Sequence, residues 1–272
     1  MCIFAARKIN SSDMAGQLKT DIYEAEKLLT IENKRKLEEN QNLLYWYEKL
    51  YSIQFQGIEN IHESNILEIG SGTSPLKRFL PNTITSDILS LDYLDHRFDA
   101  HTIDRYAGIP DGSIDIITLT NVLHHLKNPL LFLSNARQKL KKGGRIIFTE
   151  PFFSHLASFV YTQLHHEPVD FEITRPELPE MKGPLSSANI ALPYLIFYSQ
   201  QNWERPLRDI YEFSVSRATY YTALSYMFTG GISRRIPVPG FLYRLLYRAD
   251  YFLAQRFPKI FASFFILTLT TR

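Results

Sequence analysis

Cysteine is almost absent from this chain: of 272 residues only Cys2 is one, so no disulfide can close within it and no cysteine-based metal site can be assembled from it. A reducing, cytoplasmic setting is the expectation. Long apolar runs are missing too. The two longest, Ala188 to Tyr198 and Ile260 to Leu269, fall short of the roughly 18 residues of a spanning helix, and Pro193 interrupts the first. Met1 to Ala6 is apolar but too short for the hydrophobic region of a signal peptide. Proline, glycine and charge are too sparse for a largely disordered chain, whereas a hydrophobic content of 45% is that of a packed globular protein. A net charge of +2 gives no case for nucleic acid as a partner. Acidic residues run out in one place: after Gly231, Arg234, Arg235, Arg244, Arg248, Arg256, Lys259 and Arg272 stand against the single acid Asp250. Such an excess suits a solvated face, or peripheral contact with an anionic membrane or a phosphorylated substrate.

What is present divides the chain into four stretches. Residues 1–62 are charged and helix-favouring, with Leu28, Leu37, Leu44 and Trp46 at loosely helical spacing. Residues 63–151 alternate strand and helix. Asn65 to Ile69, Thr83 to Ser86 and Ile114 to Thr120 are short β-branched or apolar runs of the kind buried on both faces of a parallel sheet. A helix from Pro129 to Leu140 stopping at Lys141-Lys142-Gly143-Gly144, then a strand from Arg145 to Thr149, complete that stretch. Residues 152–239 lose the alternation and read as an insertion, and residues 240–272 read as a helix and a final strand, Phe264 to Thr270.

The chemistry gathers at strand ends. Ile66 to Pro75 runs a strand into Gly70-Ser71-Gly72, where the lack of side chains lets a ligand lie against the backbone. Pro75 replaces the third glycine of a dinucleotide turn, and Glu68 puts a carboxylate just before the turn, which suits a cationic ligand better than a pyrophosphate. Asp87 ends the second strand, where a carboxylate accepts hydrogen bonds from two ribose hydroxyls. Asp99 and Ala100 end the third, where a carboxylate and a backbone N–H read an adenine edge. Each aspartate alone is as well explained as a cap or turn residue.

Taken in order, Glu68 to Gly72, Asp87, Asp99-Ala100, Ile109 to Asp115, Asn121-Val122-Leu123-His124-His125-Leu126, Leu140 to Gly144 and Glu150-Pro151 resemble the motifs of class I S-adenosyl-L-methionine (SAM)-dependent methyltransferases, most closely the small-molecule branch labelled methyltransferase domain type 11. The resemblance covers about residues 64 to 151. It implies an α/β, Rossmann-like, doubly wound seven-stranded sheet of order 3-2-1-4-5-7-6 with its last strand antiparallel. It implies SAM as cofactor, with Glu68, Gly70, Ser71 and Gly72 around its methionine and ribose parts, Asp87 on the ribose, Asp99 and Ala100 on the adenine, and Asn121 beside the methionine amino group. Residues 63–151 are then the SAM-binding core, and 152–239 the cap that selects the acceptor.

Methyl transfer from a sulfonium needs alignment and exclusion of water, and a base only where the nucleophile must lose a proton, as a hydroxyl must. The expected activity is O-methylation of a small molecule, a glycan or a lipid-linked saccharide. His125 and then His124 are the candidate bases, with packing as the competing role for both. His166 is a further candidate, and Glu150, Tyr161 and His165 are expected to contact the acceptor. Adjacent histidines without a third well-placed ligand argue against a metal. A nicotinamide-dependent oxidoreductase and a non-catalytic SAM-binding module are the alternatives.

Overall fold

The computed structural model describes residues 11–222, 224–232 and 235–272. Cys2, the apolar opening and Arg234 lie outside these residues.

Two helices come first. α1 (Ser11–Glu39) carries charge at i,i+4 spacing, as in the Glu32–Lys36 pair at 2.7 Å. Asn40 ends it and starts α2 (Gln41–Gln54), its side chain accepting from the Leu43 N–H. One face of α2, with Leu43, Trp46, Leu50 and Tyr51, is buried. β1 (Ile66–Ile69), the short α3 (Leu76–Phe79), β2 (Thr83–Asp87) and the two-residue β3 (His96–Arg97) follow. β4 (Ile114–Thr120), α4 (Pro129–Ala136) and β5 (Leu140–Pro151) complete the parallel part. Next come α5 (His155–Gln163), α6 (Ala191–Tyr198), β6 (Tyr211–Glu212), β7 (Thr219–Tyr221) and α7 (Leu224–Thr229). The last elements are α8 (Gly240–Arg256), α9 (Pro258–Phe261) and β8 (Phe264–Thr271).

The sheet runs β3-β2-β1-β4-β5-β8-β6, with β8 antiparallel to β5 and β7 also paired to β8. This is the expected order with the outermost strand in two pieces. β6 pairs with Thr270 and Thr271 at one end of β8, and β7 with Phe264 to Ile266 at the other; a 3-10 turn, Val215–Arg217, separates them. The stretch 152–239, read as an insertion, therefore also supplies sheet.

Burial on both faces follows from alternation along the strands. Leu67, Ile117, Leu119, Ile146 and Phe148 face one core with Phe132 of α4 and Ile196 of α6. Ile66, Ile116, Ile147, Phe264 and Ile266 face another with Trp46 and Leu50 of α2. Gln54 ties α2 to the sheet, donating to Thr118 Oγ1 at 2.6 Å and accepting from Thr149 Oγ1 at 2.8 Å.

The helix expected to reach Leu140 stops at Ala136, a 3-10 turn takes Arg137–Lys139, and Lys141 to Gly144 begin β5 with a bulge opposite Asp115. The basic residues that suggested a helix end serve ion pairs at the strand entry: Lys139 with Asp111 and Lys141 with Asp115, both at 2.7 Å. No helix forms between β2 and β3, in keeping with the short stretch available there. No helix among the described residues is long and apolar enough to cross a membrane.

Candidate functional site

β1, β2 and β4 end side by side, so the residues following them converge at one edge of the sheet. Gly70 leaves β1 with φ +73°, a left-handed conformation, and any side chain there would meet Val122 at 2.5 Å. Ser71 fastens the turn to both strands. Its N–H donates to Ser86 O, its hydroxyl donates to Glu68 O, and the hydroxyl also accepts from the Ser86 N–H. Its side chain is thus spent on the backbone.

Glu68 is 2% exposed. Its Oε1 accepts from the Ser74 hydroxyl at 2.5 Å, and its Oε2 is buried with no partner among the described residues. Burial pushes this carboxyl up to about 7, against the hydrogen bond from Ser74 and the charge of Lys34. Asn121, just past β4, is held at φ 58° with its N–H donated to Thr149 O, and its Oδ1 is likewise buried and unpartnered. Two orphaned acceptors, one on the strand that enters the glycine turn and one just past the neighbouring β4, leave polar capacity for a ligand carrying positive charge and N–H donors. The residues present therefore fit the cofactor that the resemblance implies.

Asp87 anchors the same edge. Its Oδ2 accepts from the Gly72 N–H at 3.0 Å and its Oδ1 from the Leu89 N–H at 2.9 Å, while burial raises its pKa. Asp99 caps the 3-10 helix Ala100–Arg105 through the His101 N–H and also accepts from His101 Nδ1 at 2.7 Å. His101 Nε2 accepts from the Asn128 N–H, which fixes Nδ1 as the donor and holds the Asp99 carboxyl below its ordinary value. Ala100 is buried behind it.

Sequence reasoning found the helical stretch of α1 but missed its contacts with this site. Tyr23 OH donates to Ile88 O and accepts from the Ser90 N–H, both at 2.8 Å, and Lys34 Nζ donates to Ser74 O. Thr30 sends its hydroxyl to Glu26 O and its methyl toward Gly72. Glu26 accepts from the N–H groups of Leu185 and Ser186. The helix thus bridges the glycine turn and the stretch after β5. No local sequence pattern signals this.

Beyond Asn121 the chain forms a 3-10 turn, Leu123–His125. Glu150, at the end of β5, is buried; its Oε1 accepts from the N–H groups of Val122 and Leu123, and its Oε2 pairs with His124 Nδ1 at 2.6 Å. It was expected to touch the acceptor. Enclosed and fully committed, it organises the turn instead. On the other side of His124, Nε2 lies 3.4 Å from Glu167 Oε2. Burial alone would lower the His124 pKa, but the two carboxylates hold it up at about 10. An imidazolium with both nitrogens facing carboxylates has no lone pair to accept a proton, so the structure speaks against His124 as a base.

His125 is the opposite case. Its Nδ1–H donates to Ser187 O at 3.0 Å, leaving the Nε2 lone pair 3.7 Å from Glu167 Oε1. Burial and the neighbouring His124 charge push it down to about 4, so it is neutral. Glu167 is held down at about 2, its burial outweighed by His124, His125 and His165. Side chains of His125 and Glu167 are 16% and 21% exposed against 4% for His124, so these two can reach an acceptor.

The other expected residues fall outside this cluster. Tyr161 is buried and donates to Ser263 O, a packing role. His165 and His166 are exposed and stacked on each other at 4.8 Å, and His165 Nδ1 accepts from the Glu167 N–H. Of that string only Glu167 joins the site. His124, His125 and Glu167 bring ligand atoms within 4.8 Å of one another. In this structure the three side chains face one another across two histidine–carboxylate pairs.

The methyltransferase domain family matches residues 35–210. Over 108 residues, 31% of this chain, the sequence is 30% identical to a highly reducing polyketide synthase, ACTTS3, of Alternaria alternata. The match takes in 4% of that synthase, so the chain spans a small fraction of its length. Among solved structures, a SAM-dependent methyltransferase from Thermotoga maritima shares 14% identity at a TM-score of 0.46, over 88% of this chain and 98% of the other. One from Archaeoglobus fulgidus shares 15% at 0.41, over 82% and 90%. Likenesses of that size say nothing of this chain's substrate.

Proposed function

The chain belongs to the methyltransferase-domain family, and we propose that as a class I SAM-dependent enzyme it methylates a hydroxyl on a small molecule, a glycan or a lipid-linked saccharide. The observation that carries this is His125, neutral, with its tautomer set by Ser187 O and its free Nε2 beside Glu167. Such a pair takes a proton from an acceptor O–H and steadies the resulting imidazolium with the adjacent carboxylate. An acceptor that needs no deprotonation would not call for it.

Glu68, Gly70, Gly72, Asp87, Asp99, Ala100 and Asn121 are the residues that would hold SAM, which when bound supplies an electrophilic methyl on a sulfonium. The chain's own part is alignment and dryness. Glu68 and Asn121 offer unpartnered acceptors, α1 covers the glycine turn, and parts of residues 152–239, taken here as the acceptor cap, bring Glu167 and Ser187 to His125. The partial likeness to a polyketide synthase favours a second reading, in which the proton comes from an acidic carbon between two carbonyls.

The test is calorimetric titration with S-adenosylhomocysteine, followed by product analysis with isotope-labelled methyl donor over acceptor hydroxyls and 1,3-dicarbonyls. Asp87→Ala is expected to weaken binding by tenfold or more, about 1.4 kcal/mol. The label is expected on oxygen. Tight binding with no methyl transferred to either class would sink the acceptor reading and leave the cofactor site standing.

A further inference from the structure

Large apolar side chains on a protein surface normally occur singly. The outer face of α8 departs from this. Phe241, Leu245 and Phe252, four and seven residues apart and so on one side of the helix, are 80%, 64% and 64% exposed. Leu242 beside them, and Phe257 and Ile260 of the following turn and α9, are exposed as well. Arg244, Arg248, Arg256 and Lys259 lie among them, also exposed. The one acid between Gly240 and Phe261, Asp250, is turned inward, buried and accepting from the Ser225 N–H.

We infer that α8 and α9 form a docking surface for an anionic lipid bilayer, with the phenylalanines and leucines entering the acyl boundary and the arginines and Lys259 meeting headgroups. Charge selects this occupant. A second copy meeting the face across a two-fold axis would set arginine against arginine with no carboxylate between them. A single soluble phosphate needs cations converging on one point, whereas these are strung along 17 helical residues, a length of about 25 Å. The position is apt. β8 starts at Phe264, paired with Pro151 next to Glu150, so α9 and the end of α8 lie at the sheet edge where the catalytic cluster sits. A lipid-anchored acceptor lying in the bilayer would be presented at that edge. The docking surface stands whichever atom is methylated.

The experiment is co-flotation of the full chain with vesicles of phosphatidylcholine, with and without phosphatidylglycerol. Three proteins are compared: wild type, Phe241→Ser/Leu245→Ser/Phe252→Ser, and Arg244→Glu/Arg248→Glu/Arg256→Glu. A cooperative thermal melt of each sample is the check of folding, with single Phe241→Ser and Arg248→Glu variants standing in for any triple variant that fails it, and S-adenosylhomocysteine affinity is measured separately. The wild type is expected to float only with the anionic vesicles, the arginine variant to bind about a hundredfold more weakly or worse, and the apolar variant to stay behind. A wild type that stays behind with anionic vesicles, variants that float as it does, or a solution dimer that Phe241→Ser/Leu245→Ser returns to monomer would each overturn the inference. Flotation without S-adenosylhomocysteine binding would support docking while counting against the cofactor site.

Discussion

The methyl group of Thr30 fills the space in front of Gly72 that any side chain there would need, 2.8 Å from where a β-carbon would stand. α1 thus packs directly against the glycine turn. Thr30→Ser deletes the methyl and keeps the hydroxyl bonded to Glu26 O. S-adenosylhomocysteine affinity is expected to rise roughly two- to fivefold, about 0.5–1 kcal/mol. Unchanged or weaker binding by calorimetry would mean that α1 is not in the way.

Glu68 carries a linked pH effect. Its folded pKa, about 7, stands above its ordinary value of 4.5, so the free protein loses stability as pH rises through that interval and stays at the lower level above it. Glu68→Gln is therefore expected to melt higher than wild type above pH 7, by at most roughly 3 kcal/mol of stability, and to show no such gain below pH 4.5. An ammonium group brought next to Glu68 favours the ionised carboxylate, so wild-type affinity for S-adenosylhomocysteine, which carries one, should climb with pH toward 7 and release protons, read as a buffer-dependent enthalpy. Glu68→Gln should abolish that dependence.

His125 predicts an unusual acid limb. A free imidazole loses its lone pair below about 6.5, but this one is held neutral down to about 4. With the acceptor identified and SAM held saturating at every pH, log kcat/KM for the acceptor should stay flat through pH 6 and bend only near 4. His125→Asn should remove the bend along with most of the rate, by at least about 100-fold. A bend at 6.5 would assign the base elsewhere.

Glu150 is expected to matter for stability more than for contact with the acceptor. Glu150→Gln keeps the shape but leaves the His124 imidazolium without its closest counter-charge, and breaking such a buried pair costs about 3–5 kcal/mol. Because the His124 pKa is raised, the pair's contribution is full below 6.5 and is lost as pH rises through about 10. Thermal melts at pH 6 should thus separate wild type and variant widely, and melts at pH 10.5 should bring them together.

How much of this was legible in sequence depended on distance along the chain. The strands β1, β2 and β4 were readable because burial on both faces of a parallel sheet writes itself into short apolar runs, whereas their order in the sheet came from the resemblance alone. The split of the outer strand was not readable, since Tyr211–Glu212 and Thr219–Tyr221 are too short to show a period. Glu26 clasping Leu185 and Ser186 joins residues about 160 positions apart with nothing local to mark it. His165 and His166 drew attention as titratable neighbours, yet the fold turns Glu167 inward instead, a choice made by the cap and not by the string itself.

The position of β8 has a kinetic consequence. It lies between β5 and the two outer pieces, so its ladder, from Pro151↔Phe264 to Arg145↔Thr270, joins segments more than a hundred residues apart. That closure carries a large loop entropy before any rung repays it, and pairings of this kind slow folding. During synthesis the half-sheet β3-β2-β1-β4-β5 emerges with one flank of β5 open, an edge that invites mispairing until Phe264 to Thr271 arrive. A chain stalled before that point would be a substrate for chaperones rather than a smaller working enzyme.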